Sequence, residues 1–318
     1  MEFCIFAARN KKVVMNSKVR GSIAGIVAAI CYGTNPLAKF LYEDGINTNT
    51  VLVYRFGIAA IILAVMMYFK KISFRITKRE CGIIASLGVL FAASAMTLYS
   101  SFKHLDLGIA STLLFVYPMM VAVIMTVFFK EKLTWTTAVS ILLAFVGIFM
   151  LNGSGGSGAL SFIGVLLVMV SSLTYAVYIV IINRTNIKMS SIKMTFYVLL
   201  FCIASILIYT QFMPDTPLML LRGAKQWGIA LLLSFAPTIM SLVLMTVSIR
   251  DVGSTTAAIL GALEPVTAVL IGIIIFHESF SLNLLGGIVL ILSGVMLIIL
   301  GNDITEVIRK RKKKGSMR

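Results

Sequence analysis

The chain has 318 residues, 59% hydrophobic and only 13% charged, with a formal net charge of +16 at pH 7. Its mean hydropathy of +1.00 excludes the soluble globular class and points to an integral membrane protein. The basic excess does not read as a nucleic-acid surface, because Lys and Arg sit between apolar segments and in the tails, the positive-inside pattern of membrane proteins.

In chain order, residues 1–20 read as a cytoplasmic tail. Met1–Asn10 lacks the leading charges and small-residue cleavage site of a signal peptide, and Met15-Asn16-Ser17-Lys18 reads as an alternative start. Ten apolar spans follow, near 21–42, 49–69, 81–102, 107–129, 135–152, 161–183, 191–212, 227–248, 253–276 and 283–300. Each has to be a helix, since backbone groups in lipid must be satisfied within the segment. The first span carries Tyr32, Asn35 and Pro36, the second Arg55, the third Tyr99, and the fourth Tyr117-Pro118. The sixth carries Tyr175 and Tyr178, the eighth Pro237, and the ninth Glu264-Pro265. A basic tail closes the chain at 301–318, and its Arg309–Lys314 run is expected on the anionic inner leaflet. Cys4, Cys31, Cys81 and Cys202 are scattered with no CxxC pair, so no metal site, disulfide framework or cofactor is expected.

The spans repeat. Pro118 and Pro265 are 147 residues apart, and the same step carries Glu131 to Glu278, Thr134 to Ser281 and Gly147 to Gly294. Asp106-Leu107-Gly108 resembles Asp251-Val252-Gly253 at a step of 145, and Gly21 and Tyr32 match Gly164 and Tyr175 at 143. With the N-terminus in the cytoplasm, 23 basic residues fall inside and 4 outside. Five spans per half put the second half upside down. Lys130-Glu131-Lys132 then lies inside, and its counterpart His277-Glu278-Ser279, outside, has lost both lysines. The expected fold is an all-α integral membrane protein of ten transmembrane helices in two inverted five-helix repeats, 21–152 and 161–300, joined by a Gly/Ser linker at 153–160. Both termini are expected in the cytoplasm, and the expected location is the plasma membrane.

The candidate site residues divide by depth. Glu264 lies about eleven residues into its span, near mid-membrane. It reads either as a cation-sensing or proton-coupling group, or as a helix-stabilising hydrogen-bonding group beside Pro265. Arg55, about six residues into its span, reads either as a clamp for a substrate carboxylate or as a residue that snorkels or pairs with Glu43 or Asp44. Snorkelling near a helix end is common, which favours the second reading. Tyr32, Asn35, Tyr99, Tyr117, Tyr175 and Tyr178 make an uncharged aromatic and hydroxyl cavity as a set, although each alone also fits helix contact or an interface belt. Pro36, Pro118, Pro237 and Pro265 are candidate hinges. Glu131 and Glu278 read as corner residues that accept backbone N–H bonds at the next helix start, and His104 and His277 as loop residues.

Tyr117-Pro118 and Glu264-Pro265, each followed 13 residues later by a corner glutamate and then a helix with Gly147 or Gly294, resemble the EamA family of the drug/metabolite transporter superfamily. Arg55-Phe56 resembles that family's second span. The resemblance covers roughly 20–300. It implies ten helices, a central cavity between the halves, and export or exchange of small metabolites such as amino acids or related compounds. No nucleotide-binding motif is present, so alternating access is expected to be driven by ion or substrate gradients, proton coupling being one of the two readings open for Glu264. The expected partners are a small-molecule substrate and the lipid bilayer, with no nucleic acid. An intramembrane enzyme would need clustered His, Asp or Cys at depth, where Glu264 stands alone, so no catalytic residue is expected. A lipid flippase would need a lateral opening that sequence does not display.

Overall fold

The computed structural model describes residues 17–130, 135–151, 161–185, 189–212, 217–252, 260–261 and 263–297, and every regular element among them is helical. The Glu131-Lys132 corner, Thr134, the Gly/Ser linker, Gly253, residues 1–16 and the tail 301–318 lie outside these residues, while residues 17–20, read from sequence as tail, are the start of a helix. Among the described residues, seven helical stretches are long and apolar enough to cross a membrane, ending in turn at Glu43, Phe69, Ser101, Phe129, Ile182, Phe212 and Met245. The fifth, ninth and tenth expected spans correspond to shorter apolar helices. Ile61, Val127, Phe145 and Ile274 are mostly exposed, an apolar surface suited to lipid rather than water.

Helix α1, Ser17–Tyr32, buries Gly21, Ala24, Gly25, Ala28 and Ala29, a stripe of small residues along one helix face. Past Gly33 the chain tightens into a 3-10 turn, Asn35–Ala38, with Pro36 in its first turn, and resumes as α2, Lys39–Glu43. Helix α3, Thr48–Phe69, is capped by Asn47, which accepts from Thr50 N at 2.9 Å and donates to Pro217 O at 2.5 Å. Helix α4, Lys78–Ser101, opens with a Thr77/Glu80 capping box. The next span is broken into α5, Leu107–Leu114, and α6, Tyr117–Phe129, with Pro118 at the restart. Helices α7, Trp135–Leu151, α8, Phe162–Arg184, and α9, Ser191–Phe212, are continuous. Helix α10, Gly223–Ser234, passes through a π-helical turn, Phe235–Met240, into α11, Ser241–Val252. Helices α12, Leu263–Phe276, and α13, Leu282–Leu297, complete the described set.

The pairings follow the repeat. A step of about 145 carries α1 onto α8 and α4 onto α10–α11. Correspondingly α1 packs on α11, and α4 packs on α8. Helix α9 lies on α3, and α5 lies on α12. Equivalent glycines serve as close-approach points: a Cβ on Gly21 would meet Asp251 Cβ at 2.6 Å, and one on Gly164 would meet Leu105 Cγ at 2.5 Å. The polar contacts separate into two ends. Asp44–Lys225 at 2.7 Å, Lys39–Glu278 at 3.8 Å and Met219 N to Thr50 Oγ1 at 3.0 Å gather at one. Arg20–Asp251 at 2.7 Å and Lys193 Nζ to Arg75 O at 2.6 Å occupy the other. Helix α1 starts at the second end and leads to Lys39 at the first. Gly164 starts α8 beside His104 and Leu105, at the first end.

Glu278 corrects a sequence expectation. Its carboxylate accepts from Leu107 N at 2.8 Å and Gly108 N at 3.4 Å, the first amides of α5 in the other half. Asp106 makes no side-chain cap there, so these orphan donors at the positive helix end are left for a carboxylate from elsewhere. The next helix start belongs instead to Ser281, whose Oγ accepts from Leu284 N at 3.1 Å. Burial pushes the Glu278 carboxyl above its ordinary value, while the two amides and Lys39 pull it back down.

Lys130 and His277, 147 residues apart, both take left-handed backbone, with φ of 57° and 54°, immediately before the corner glutamates. That conformation costs a residue with a Cβ roughly 1–2 kcal/mol. His277→Gly is therefore expected to unfold in detergent at a temperature no lower than wild type, and His277→Val at a lower one. A valine variant more stable than the glycine variant contradicts this account of the corner.

Candidate functional site

Three helix irregularities bear on one central cavity of about 290 Å3: the 3-10 turn after α1 and the α5–α6 break supply lining residues, and the π-turn between α10 and α11 reaches it through Thr238, which bonds the lining residue Arg55. Each contains or adjoins one of the prolines Pro36, Pro118 and Pro237, because a proline nitrogen has no hydrogen to donate to the helix ladder. Pro265 lies in the first turn of α12 beside Glu264. Tyr32, Asn35, Arg55, Tyr99, Tyr117, Tyr175 and Glu264 line the cavity. Tyr178 is not among the lining residues. It stacks on Tyr175, with centroids 5.6 Å apart, and packs against Phe91. The repeat-equivalent tyrosines Tyr32 and Tyr175 thus share one chamber, as do the equivalent positions Tyr117 and Glu264. Tyr117 meets Tyr175 edge-on at 4.9 Å.

Arg55 does not snorkel, and Asp44 is engaged by Lys225. Arg55 is 5% exposed, and its guanidinium is held by three neutral acceptors. Its Nε donates to Thr238 Oγ1 at 2.8 Å, and its Nη1 donates to Asn35 Oδ1 at 2.7 Å and to the Tyr99 hydroxyl. Backbone carbonyls at the irregular turns orient these acceptors. Asn35 Nδ2 donates to Tyr32 O at 2.8 Å, which turns Oδ1 toward Arg55. Thr238 Oγ1 donates to Leu233 O at 3.0 Å, five residues back across the π-turn. Tyr99 donates to Asn35 Oδ1 at 3.1 Å and closes the network.

Glu264 is half-buried at the cavity wall and makes no hydrogen bond or ion pair among the described residues. The Gly33 backbone packs tightly against α12 beside it: a Cβ there would meet Thr267 Cβ at 2.4 Å and Glu264 O at 2.8 Å. Sequence reasoning missed Thr238, Ser94 and the apolar wall of Phe56, Phe91 and Phe115. Ser94 and Ser171 exchange hydroxyl bonds with each other's carbonyls, at 3.1 and 2.8 Å, and tie α4 to α8 beside the cavity. Pro237 was a signal for a local break, but nothing in the pattern singled out the threonine after it.

Comparison with known proteins adds a family. The model of the EamA-like transporter family matches residues 19–153 and again 162–300. An uncharacterized transporter of Archaeoglobus fulgidus is 25% identical over 279 residues, covering 87% of this chain and 95% of that protein. The uncharacterized transporter YcbK of Bacillus subtilis is 21% identical over 88% of this chain and 95% of its own. YvbV of Bacillus subtilis, also an uncharacterized transporter, is 26% identical over 62% of this chain and 64% of its own. A crystal structure superposes with a TM-score of 0.64 at 16% identity, over 89% of this chain and 97% of the other, a likeness of fold.

Proposed function

The chain belongs to the EamA-like transporter family, a family of multi-pass membrane proteins, and on that premise we propose that it is a secondary transporter of small metabolites such as amino acids or related compounds. It works as an exporter or exchanger in the plasma membrane, with both termini in the cytoplasm. Ten helices form two inverted five-helix repeats that rock about the central cavity. Placement of the equivalent glycines Gly21 and Gly164 at opposite ends supports the inversion. The observation that carries the reading is the cavity itself, where residues of both repeats meet at interrupted helices. Non-helical backbone at membrane depth is tolerated where it lines such a cavity, and substrate sites of secondary transporters sit there. Pro36, Pro118, Pro237 and Pro265 are the hinges, and Glu264 is the site of proton coupling.

The test is release from liposomes. Vesicles bearing the purified protein are loaded with a mixture of amino acids, and efflux is followed by mass spectrometry against protein-free vesicles. The expected result is saturable efflux, accelerated by the same amino acids outside. Efflux at the protein-free rate contradicts the proposal, and lipid scrambling in the same vesicles would indicate a flippase.

A further inference from the structure

We infer that Arg55 is the subsite for a carboxylate on the transported molecule, with Nη2 as the nitrogen left open to receive it; the inference rests on the transporter reading above. A guanidinium stays protonated at any physiological pH and carries five donors in a rigid fork. Here Nε and Nη1 are engaged, and Nη2 makes no hydrogen bond among the described residues, on a side chain that lines the cavity.

The engaged partners orient the charge without neutralising it. Thr238, Tyr99 and Asn35 supply two hydroxyls and an amide, all neutral. The rings of Phe56 and Tyr99 lie 5.2 and 5.4 Å from the guanidinium carbon and add only the attraction of their faces. No carboxylate among the described residues lies within ion-pair distance of Arg55. A cation this deeply buried is costly to leave without a counter-charge, and proteins normally pair it. Burial, a fixed orientation and an open nitrogen on a side chain that lines a chamber together describe a receptor for an anion. The two N–H donors of Nη2 suit a carboxylate oxygen, and the apolar wall beside them accommodates a hydrocarbon or aromatic side chain.

The experiment uses the full chain in liposomes and three related probes for each of phenylalanine and leucine. These are the amino acid, its amide, which lacks the carboxylate charge, and the corresponding acid without the amino group. Wild type is expected to carry the amino acid at least roughly tenfold better than the amide, the scale of a charged hydrogen bond. The acid without the amino group is expected to lose less than the amide. Arg55→Gln is expected to bring amino acid and amide to nearly equal rates, while Arg55→Lys retains part of the preference. Should Arg55→Gln fail to fold, Thr238→Val keeps the charge and removes one orienting bond. It is expected to raise KM for the amino acid and leave KM for the amide unchanged. Amides carried as well as amino acids, or an Arg55→Gln variant that keeps the wild-type preference, overturns the inference and leaves the transporter reading standing. No protein-dependent flux of any probe overturns both.

Discussion

Glu264→Gln is expected to abolish accumulation driven by a proton gradient while leaving substrate exchange largely intact. Glu264 is a carboxyl at the cavity wall with no hydrogen bond or ion pair among the described residues. An intramembrane acid so placed is free to take and release a proton as the cavity changes sides. Glutamine keeps the size and hydrogen-bonding pattern of the protonated acid and cannot ionise, so it holds the site in one protonation state. With one proton per substrate, a gradient of one pH unit supports about tenfold accumulation, and the variant is expected to reach none. Measurement in vesicles with an imposed pH gradient decides the matter. Wild-type accumulation in the variant removes Glu264 from coupling. A parallel fall in exchange and accumulation, with weaker binding, makes it a substrate ligand instead.

Gly88→Ala and Gly82→Ala, the same change six residues apart on α4, are expected to have opposite signs. A Cβ on Gly88 would meet Phe201 Cβ at 2.4 Å and Cys202 N at 3.0 Å, where α4 presses on α9. Backbone on the far side leaves no flexible atom to yield, so the helices must part. Overpacking of this kind costs about 1–3 kcal/mol, and Gly88→Leu is expected to prevent assembly. Nothing lies within 4 Å of a Cβ on Gly82, so alanine there only removes the entropic penalty of glycine inside a helix, a gain of about 0.5–1 kcal/mol. Thermal unfolding in detergent separates the two. Equal shifts in one direction contradict the α4–α9 packing.

What was readable in the chain was what repeats. A step of 143–147 residues links Tyr32 to Tyr175 and Tyr117 to Glu264, and the fold brings all four to one cavity. Two copies of one unit packed about a pseudo-axis place equivalent residues near each other whenever they lie close to that axis. The surroundings of Arg55 were not readable, because they depend on where helices cease to be regular. A guanidinium six residues into an ideal span reaches the interface. Here the Asn35 turn and the π-turn at Thr238 supply acceptors inside, and hydropathy does not register either turn. The cap on α5 was hidden for another reason. Its acceptor, Glu278, is 171 residues from Leu107, and capping rules look only a few residues away.

The central claim is that the cavity opens to each side of the membrane in turn, and a single cysteine tests it most directly. Ala95 lines the cavity, and Ala95→Cys adds little volume. In a chain whose native cysteines have been replaced, an impermeant thiol reagent is applied to one face of the membrane and, in separate vesicles, to the other. The account predicts labelling of position 95 from both faces, slowed on both by a transported amino acid. Labelling from one face alone, with or without that amino acid, would make the cavity a fixed pocket and contradict the account.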